Sequence, residues 1–190
     1  MIRHPSPATT GTATGTAPAP VTALTLPGME VAGPIWQVRH HRDPAALALA
    51  DRHDSRCRPG SGQLGPPGRK LVLVSCCERA VWVSHWPYPQ LALDGLDAWR
   101  RRLFRNEGAG LSSQLIAAAA MALTARLWDE RPADGWVTWV DVTRTRRKRD
   151  PGRCFRRAGW TLDRAWTHPR LLRLRAEVAD AQVAEVEVPP

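Results

Sequence analysis

The chain has 190 residues, 43% hydrophobic and 24% charged, which suits one ordinary domain with a tail rather than a disordered or fibrous polymer. No apolar run approaches the roughly 18–20 residues that cross a bilayer, and no apolar signal region opens the chain, so a soluble cytoplasmic protein is expected. The net charge of +9 is concentrated: residues 100–157 hold 14 Lys/Arg against 6 acids, residues 1–99 hold 9 against 7, and residues 158–190 hold 4 against 5. Such a patch attracts polyanions, either nucleic acid or the phosphates of a cofactor, unless it is simply a solvated basic loop. Cys57, Cys76, Cys77 and Cys154 form no CxxC pair, which argues against structural zinc and a disulfide framework.

Residues 1–30 are a low-complexity mixture of Ala, Thr, Pro and Gly, expected to be a disordered tail, with Met29 a candidate start. The domain is expected over 31–178, followed by an acidic, Val-rich tail over 179–190. Ile35 to Val38 reads as a short strand. Pro44 to His53 reads as a helix, with Asp43 as N-cap and proline at the first helical position. After a Gly/Pro-rich loop, Lys70–Ser75 and Ala80–Trp86 read as two strands of an antiparallel hairpin. Trp99 to Arg105 reads as a strand with Trp99, Arg101, Leu103 and Arg105 on one face. Leu111 to Trp128 is the clearest helix, its apolar positions falling at 3.6-residue spacing. Trp136 to Val140 reads as a buried strand, Pro151 to Ala158 as a short helix ended by Gly159, and Leu171 to Ala176 as the last strand after an extended segment at Trp160. The order β-α-β-β-β-α-β-α-β-β predicts an α/β (α+β) fold.

The stretch Arg105-Asn106-Glu107-Gly108-Ala109-Gly110-Leu111-Ser112-Ser113 joins a strand to the strongest helix. A glycine-rich turn at a helix N-terminus offers unpaired amides to an anion, aided by the helix dipole. A P-loop would need a lysine, which is missing here, and a dinucleotide fingerprint would need a third Gly or Ala where Ser113 stands, after an apolar strand. The pattern Arg105-x-x-Gly108-x-Gly110 resembles the acyl-CoA-binding motif of the GNAT N-acyltransferases. An apolar strand follows one helix later, and Cys154-Phe155-Arg156-Arg157-Ala158-Gly159-Trp160 resembles the family's late helix-to-strand signature. The resemblance covers roughly Trp36 to Ala176. It implies a mixed, mostly antiparallel central sheet flanked by helices, with acetyl-CoA or another acyl-CoA as cofactor. Its pyrophosphate would lie on the loop from Arg105 to Ser113, near Phe155. Phe155 stands where many members carry a tyrosine general acid, and it has no proton to give. A narrower resemblance, to the phage Mom-like branch that modifies DNA adenines, implies DNA as substrate, held through Arg100–Arg102 and Arg144–Arg149.

The candidate catalytic residues each carry a plainer alternative. Asp141 closes a strand and would accept a proton in the cleft, or else pair with the adjacent arginines. His53 would act as a base near neutral pH, or else cap a helix end. Ser113 would bind phosphate or cap the helix, since no nucleophile elbow surrounds it. The histidines show no ligand spacing, so no metal is expected. Trp82, Trp136 and Trp139 read as core, while Trp86 and Trp99 would either join it or stack on a base.

Overall fold

The structure, a computed structural model, describes residues 35–56, 58–144 and 150–178. The two predicted tails, Cys57 and the basic residues from Arg146 to Arg149 lie outside the described residues. The strands are β1 (Trp36–Arg39), β2 (Gly68–Ser75), β3 (Ala80–Pro87), β4 (Trp99–Asn106), β5 (Trp136–Asp141), β6 (Thr161–Leu162) and β7 (Leu171–Ala176). They form one seven-stranded sheet in the order β1-β2-β3-β4-β5-β7-β6, antiparallel throughout except for the parallel pair β4–β5. The α+β class and the mostly antiparallel sheet agree with the sequence reading.

Helix α1 (Pro44–Asp51) starts as its sequence dictates. Asp43 Oδ1 accepts the Ala46 amide at 3.0 Å, and Pro44 occupies the first helical turn, where its missing N–H costs nothing. Ala46, Leu49 and Ala50 of α1 pack with Val72, Val74, Val81, Val83 and Leu103 on one face of the sheet. The opposite face carries the larger core. There the helical segment beginning at Ser112 and helix α4 (Arg153–Arg157) bury Leu115, Ile116 and Phe155 against Leu71, Leu73, Trp82, Trp99 and Trp136.

The long helix is not uniform. An α-turn, α2 (Ser112–Ile116), leads into a π-helical segment (Ala117–Thr124), and α3 (Ala125–Leu127) ends it. The expected 3.6-residue period therefore fails in the middle. Thr124 Oγ1 donates back to the Ala119 carbonyl, five residues earlier, and pairs with Ser84 Oγ at 2.8 Å; Ser84 in turn accepts the Trp82 indole N–H at 2.7 Å. This buried chain of polar groups ties the π segment to β3. Ser84→Ala should lower stability by about 1–3 kcal/mol in a urea titration, because the Trp82 N–H is then left unsatisfied.

Strand β4 also differs from its predicted alternation. Val83 pairs with Leu103 but Ser84 with Arg101, so Arg102 is bulged out of the ladder. Leu103 consequently packs on the α1 face, while Trp99 and Arg101 point toward the helical face, so these residues do not share a side. Trp99 is wholly buried, which removes it as a base-stacking platform, whereas Trp139 is only partly buried. Trp82, Trp86, Trp99, Trp128, Trp136 and Trp160 form one continuous series of ring contacts, with centroids 5.2–6.3 Å apart.

Candidate functional site

Strands β4 and β5 run side by side only at Trp99–Trp136 and Arg100–Val137. Beyond them β5 pairs along its whole length with β7, and β4 continues toward the glycine loop paired only with β3, its other edge open. The sheet thus parts into a wedge with Arg101 at its vertex and the loop after Asn106 at its far end. From Arg101 to Asn106 the open strand edge spans about 17 Å at the usual strand rise.

Asn106 organises the loop. Its Oδ1 accepts the amides of Gly108 (3.1 Å) and Ala109 (2.9 Å), and its Nδ2 donates to the Gly110 carbonyl and to Ser112 Oγ. The amides of Gly110, Leu111, Ser112 and Ser113 face no acceptor among the described residues, so these are the positions of the expected cradle that stay open. Gly108 has φ +89, and a Cβ there would meet Arg79 Nη2 at 3.0 Å. Glycine is needed at that turn. Arg79 Nε donates to the Glu107 carbonyl, which holds the turn from behind.

Glu107 is not aimed at a ligand. Its carboxylate takes Arg52 at 2.8 Å and Arg105 at 2.5 Å, and these hydrogen bonds hold its pKa down at about 2. Arg105 Nη1 also donates to the Arg52 carbonyl, so Arg105 stitches the loop to the end of α1 instead of reaching outward.

The three predicted catalytic side chains are carried by different elements, and Arg144 ties Asp141 to the Asp54 carbonyl beside His53. Ser113 lies in the first turn of α2, 9% exposed. Asp141 ends β5, where its Oδ1 accepts both the Thr143 amide (2.9 Å) and the Thr143 hydroxyl (2.6 Å), with Arg170 at 3.3 Å and Arg144 at 3.7 Å from Oδ2. These bonds, the Thr143 hydroxyl foremost, keep its pKa below the usual value, so it is a fixed negative charge and a weak base. His53 follows α1. Desolvation, then the Arg101 and Arg105 charges, lower its pKa to about 4. Its Nδ1 accepts from Ser55, and the ring makes a hydrogen bond with the Phe104 backbone. The imidazole is therefore neutral and engaged on both sides.

The arginine triplet separates into three environments. Arg100 pairs with Asp94 at 2.5 Å and lies over the Trp139 ring. Arg101 crosses the wedge, its Nε donating to Thr138 Oγ1 (2.7 Å) and its Nη2 to the Trp139 carbonyl (2.8 Å), with Phe155 stacked 5.1 Å away. Arg102 alone is exposed, lining a cavity of about 290 Å³ with Arg56, Arg58, Ser55, Ser61 and Gln63. Of the second cluster only Arg144 is described; it donates to the Asp54 carbonyl and faces Asp141. No local pattern signals that Arg101 turns inward, because that depends on the bulge at Arg102. Among the described residues no group of side chains could hold a metal ion, and no helix is long and apolar enough to cross a membrane.

Comparison with protein-family models, with curated proteins and with solved structures returns no match to this chain.

Proposed function

We propose that this chain is a GNAT-type N-acyltransferase that uses acetyl-CoA or another acyl-CoA, with an amine acceptor. The observation that carries the reading is the parting of the parallel strand pair β4–β5 beside a glycine loop whose helix-start amides have no acceptor among the described residues. The residues fit such a group. The amides of Gly110–Ser113 suit its diphosphate, and the unpaired edge of β4 offers peptide groups to an amide-bearing arm. When bound, the thioester supplies the activated acyl carbon, which the acceptor nitrogen attacks as the C–S bond breaks.

The protein's part is chiefly positioning and exclusion of water. Asp141 is already engaged by Thr143, Arg144 and Arg170, so its part is to fix the end of β5 and the turn after it, and the acceptor amine gives its proton to solvent before attack. His53, neutral, walls the wedge on the α1 side, and the Ser113 hydroxyl adds a donor beside the phosphates. Phe155 supplies no acid, and none is required for departure, since a thiol of ordinary pKa, about 8.5, leaves as its anion.

Isothermal titration of the folded chain with CoA should show saturable binding. Gly110→Glu, which sets a carboxylate among the open amides, should weaken it at least ~10-fold through repulsion and lost amide donors. A folded protein with no heat of binding dismisses the reading.

A nucleic-acid acceptor, as in Mom-like DNA modification, is the second reading. It is favoured by the groove beside Arg102, whose lining includes Arg56 and Arg58 and no acid, with the Lys70 side chain adjoining Gly65. That reading requires DNA binding that weakens steeply with salt, together with a changed adenosine mass in DNA from expressing cells. Salt-steep binding with unchanged nucleosides would leave a non-catalytic basic DNA-binding module.

A further inference from the structure

Arginines whose side chains are largely buried in this protein carry a carboxylate with them. Arg56, 8% exposed, holds Asp51 at 2.7 Å; Arg173, 12% exposed, holds Asp163 at 2.8 Å; Arg100, 15% exposed, holds Asp94. Arg101 is the exception. The residue is half-buried, its guanidinium is held against β5 and the Phe155 ring, and desolvation lowers its pKa to about 10. Its recorded neighbours are Thr138 and the Trp139 carbonyl from β5, Cys154 and Phe155 from α4, neutral His53 from the segment after α1, and Arg102. None of these is a carboxylate; the Cys154 thiol is the one group there that can carry negative charge, and no ion pair to Arg101 occurs among the described residues.

A cation withdrawn from water is costly unless an anion meets it, and two neutral acceptors on a five-donor guanidinium do not replace the lost hydration. If Arg101 served only to brace β5, a neutral side chain would do so at lower cost. Its position gives the charge a use. It stands at the vertex of the wedge, and the open edge of β4, about 17 Å long, leads from it to the loop that carries the open amides of Gly110–Ser113. The thioester end of an acyl-CoA would come to rest beside it.

We propose that the wedge between β4 and β5 selects an acyl group ending in a carboxylate, a dicarboxylic half-thioester, with Arg101 as its counter-ion. This rests on the acyl-CoA reading and deepens it. The planar guanidinium suits a carboxylate in bidentate fashion, with Thr138 and the Trp139 carbonyl fixing its orientation. An acetyl group would leave the cation as it is in the free protein.

The test compares succinyl-CoA, acetyl-CoA and CoA by titration calorimetry on the full chain and on Arg101→Met. The native protein should bind succinyl-CoA at least ~10-fold more tightly than acetyl-CoA, and the ratio should fall to about 1 in the variant. The variant should also melt no lower than the native protein, because methionine relieves the buried charge, and this separates lost recognition from lost folding. Equal affinity for the two thioesters in the native protein overturns this inference and leaves the acyl-CoA reading standing. Absence of binding by every CoA species overturns both. A variant that melts well below the native protein shows Arg101 to be a structural brace and also overturns it.

Discussion

Lowering the pH from 7.5 to 5 is expected to cost the fold about 4 kcal/mol, read as a drop in the urea midpoint. The source is a pair of histidines that the fold keeps neutral. His85 is 2% exposed, and burial, together with Lys70, Arg102 and Arg100, takes its pKa to about 4 even though its ring contacts the Pro67 carbonyl. His53 is lowered to about 4 by desolvation and by Arg101 and Arg105, against an opposing pull from Asp54. Both values lie below the 6.5 of an unfolded histidine. Between pH 6.5 and 4 the unfolded chain therefore binds more protons, and stability that is complete above 6.5 is lost as the pH falls through 4. His85→Gln should flatten part of this slope. A midpoint that stays constant from pH 7.5 to 5 would show that neither ring is held neutral.

Gly68→Ala is expected to cost more than ~3 kcal/mol, enough to deplete the folded protein in cell extracts. Gly68 has φ +141, and a Cβ there would lie 2.5 Å from the Trp86 carbonyl oxygen, 2.6 Å from His85 Nε2 and 2.9 Å from Pro87 Cα. Two of those atoms are backbone of the neighbouring strand, so relief would require β2 and β3 to separate where Gly68 pairs with Pro87. Gly62→Ala is the control. Its added carbon would meet nothing nearer than Arg42 Cγ at 3.9 Å, and its effect should stay within ~0.5 kcal/mol. Equal stability of the two variants would refute the close approach at Gly68.

Much of the architecture was readable from local signals. Asp43-Pro44 marks the start of α1, the apolar runs from Leu71 to Val74 and Ala80 to Val83 mark the hairpin, and Leu171–Ala176 marks the last strand at the bounds observed. What escaped depends on contacts between distant parts of the chain. The bulge at Arg102 sets which way Arg101 points, and no alternation pattern announces a bulge. The π segment follows from Thr124 meeting Ser84, forty residues earlier in the chain. The loop from Arg105 to Ser113 was visible as a candidate anion site. Its division of labour was not, because Asn106 occupying two of its amides and Arg52 claiming Glu107 are side-chain choices made only after folding.

The order of strands has a consequence for self-association. Among the described residues the sheet ends in β1, of 4 residues, and β6, of 2, so each outer border presents only a brief row of peptide groups to a newcomer. Arg39 on the β1 border is further occupied by Gln37, Asp43 and Glu78. Truncated and charged margins of this kind discourage edge-to-edge growth, which protects a β-rich protein from templating its own aggregates.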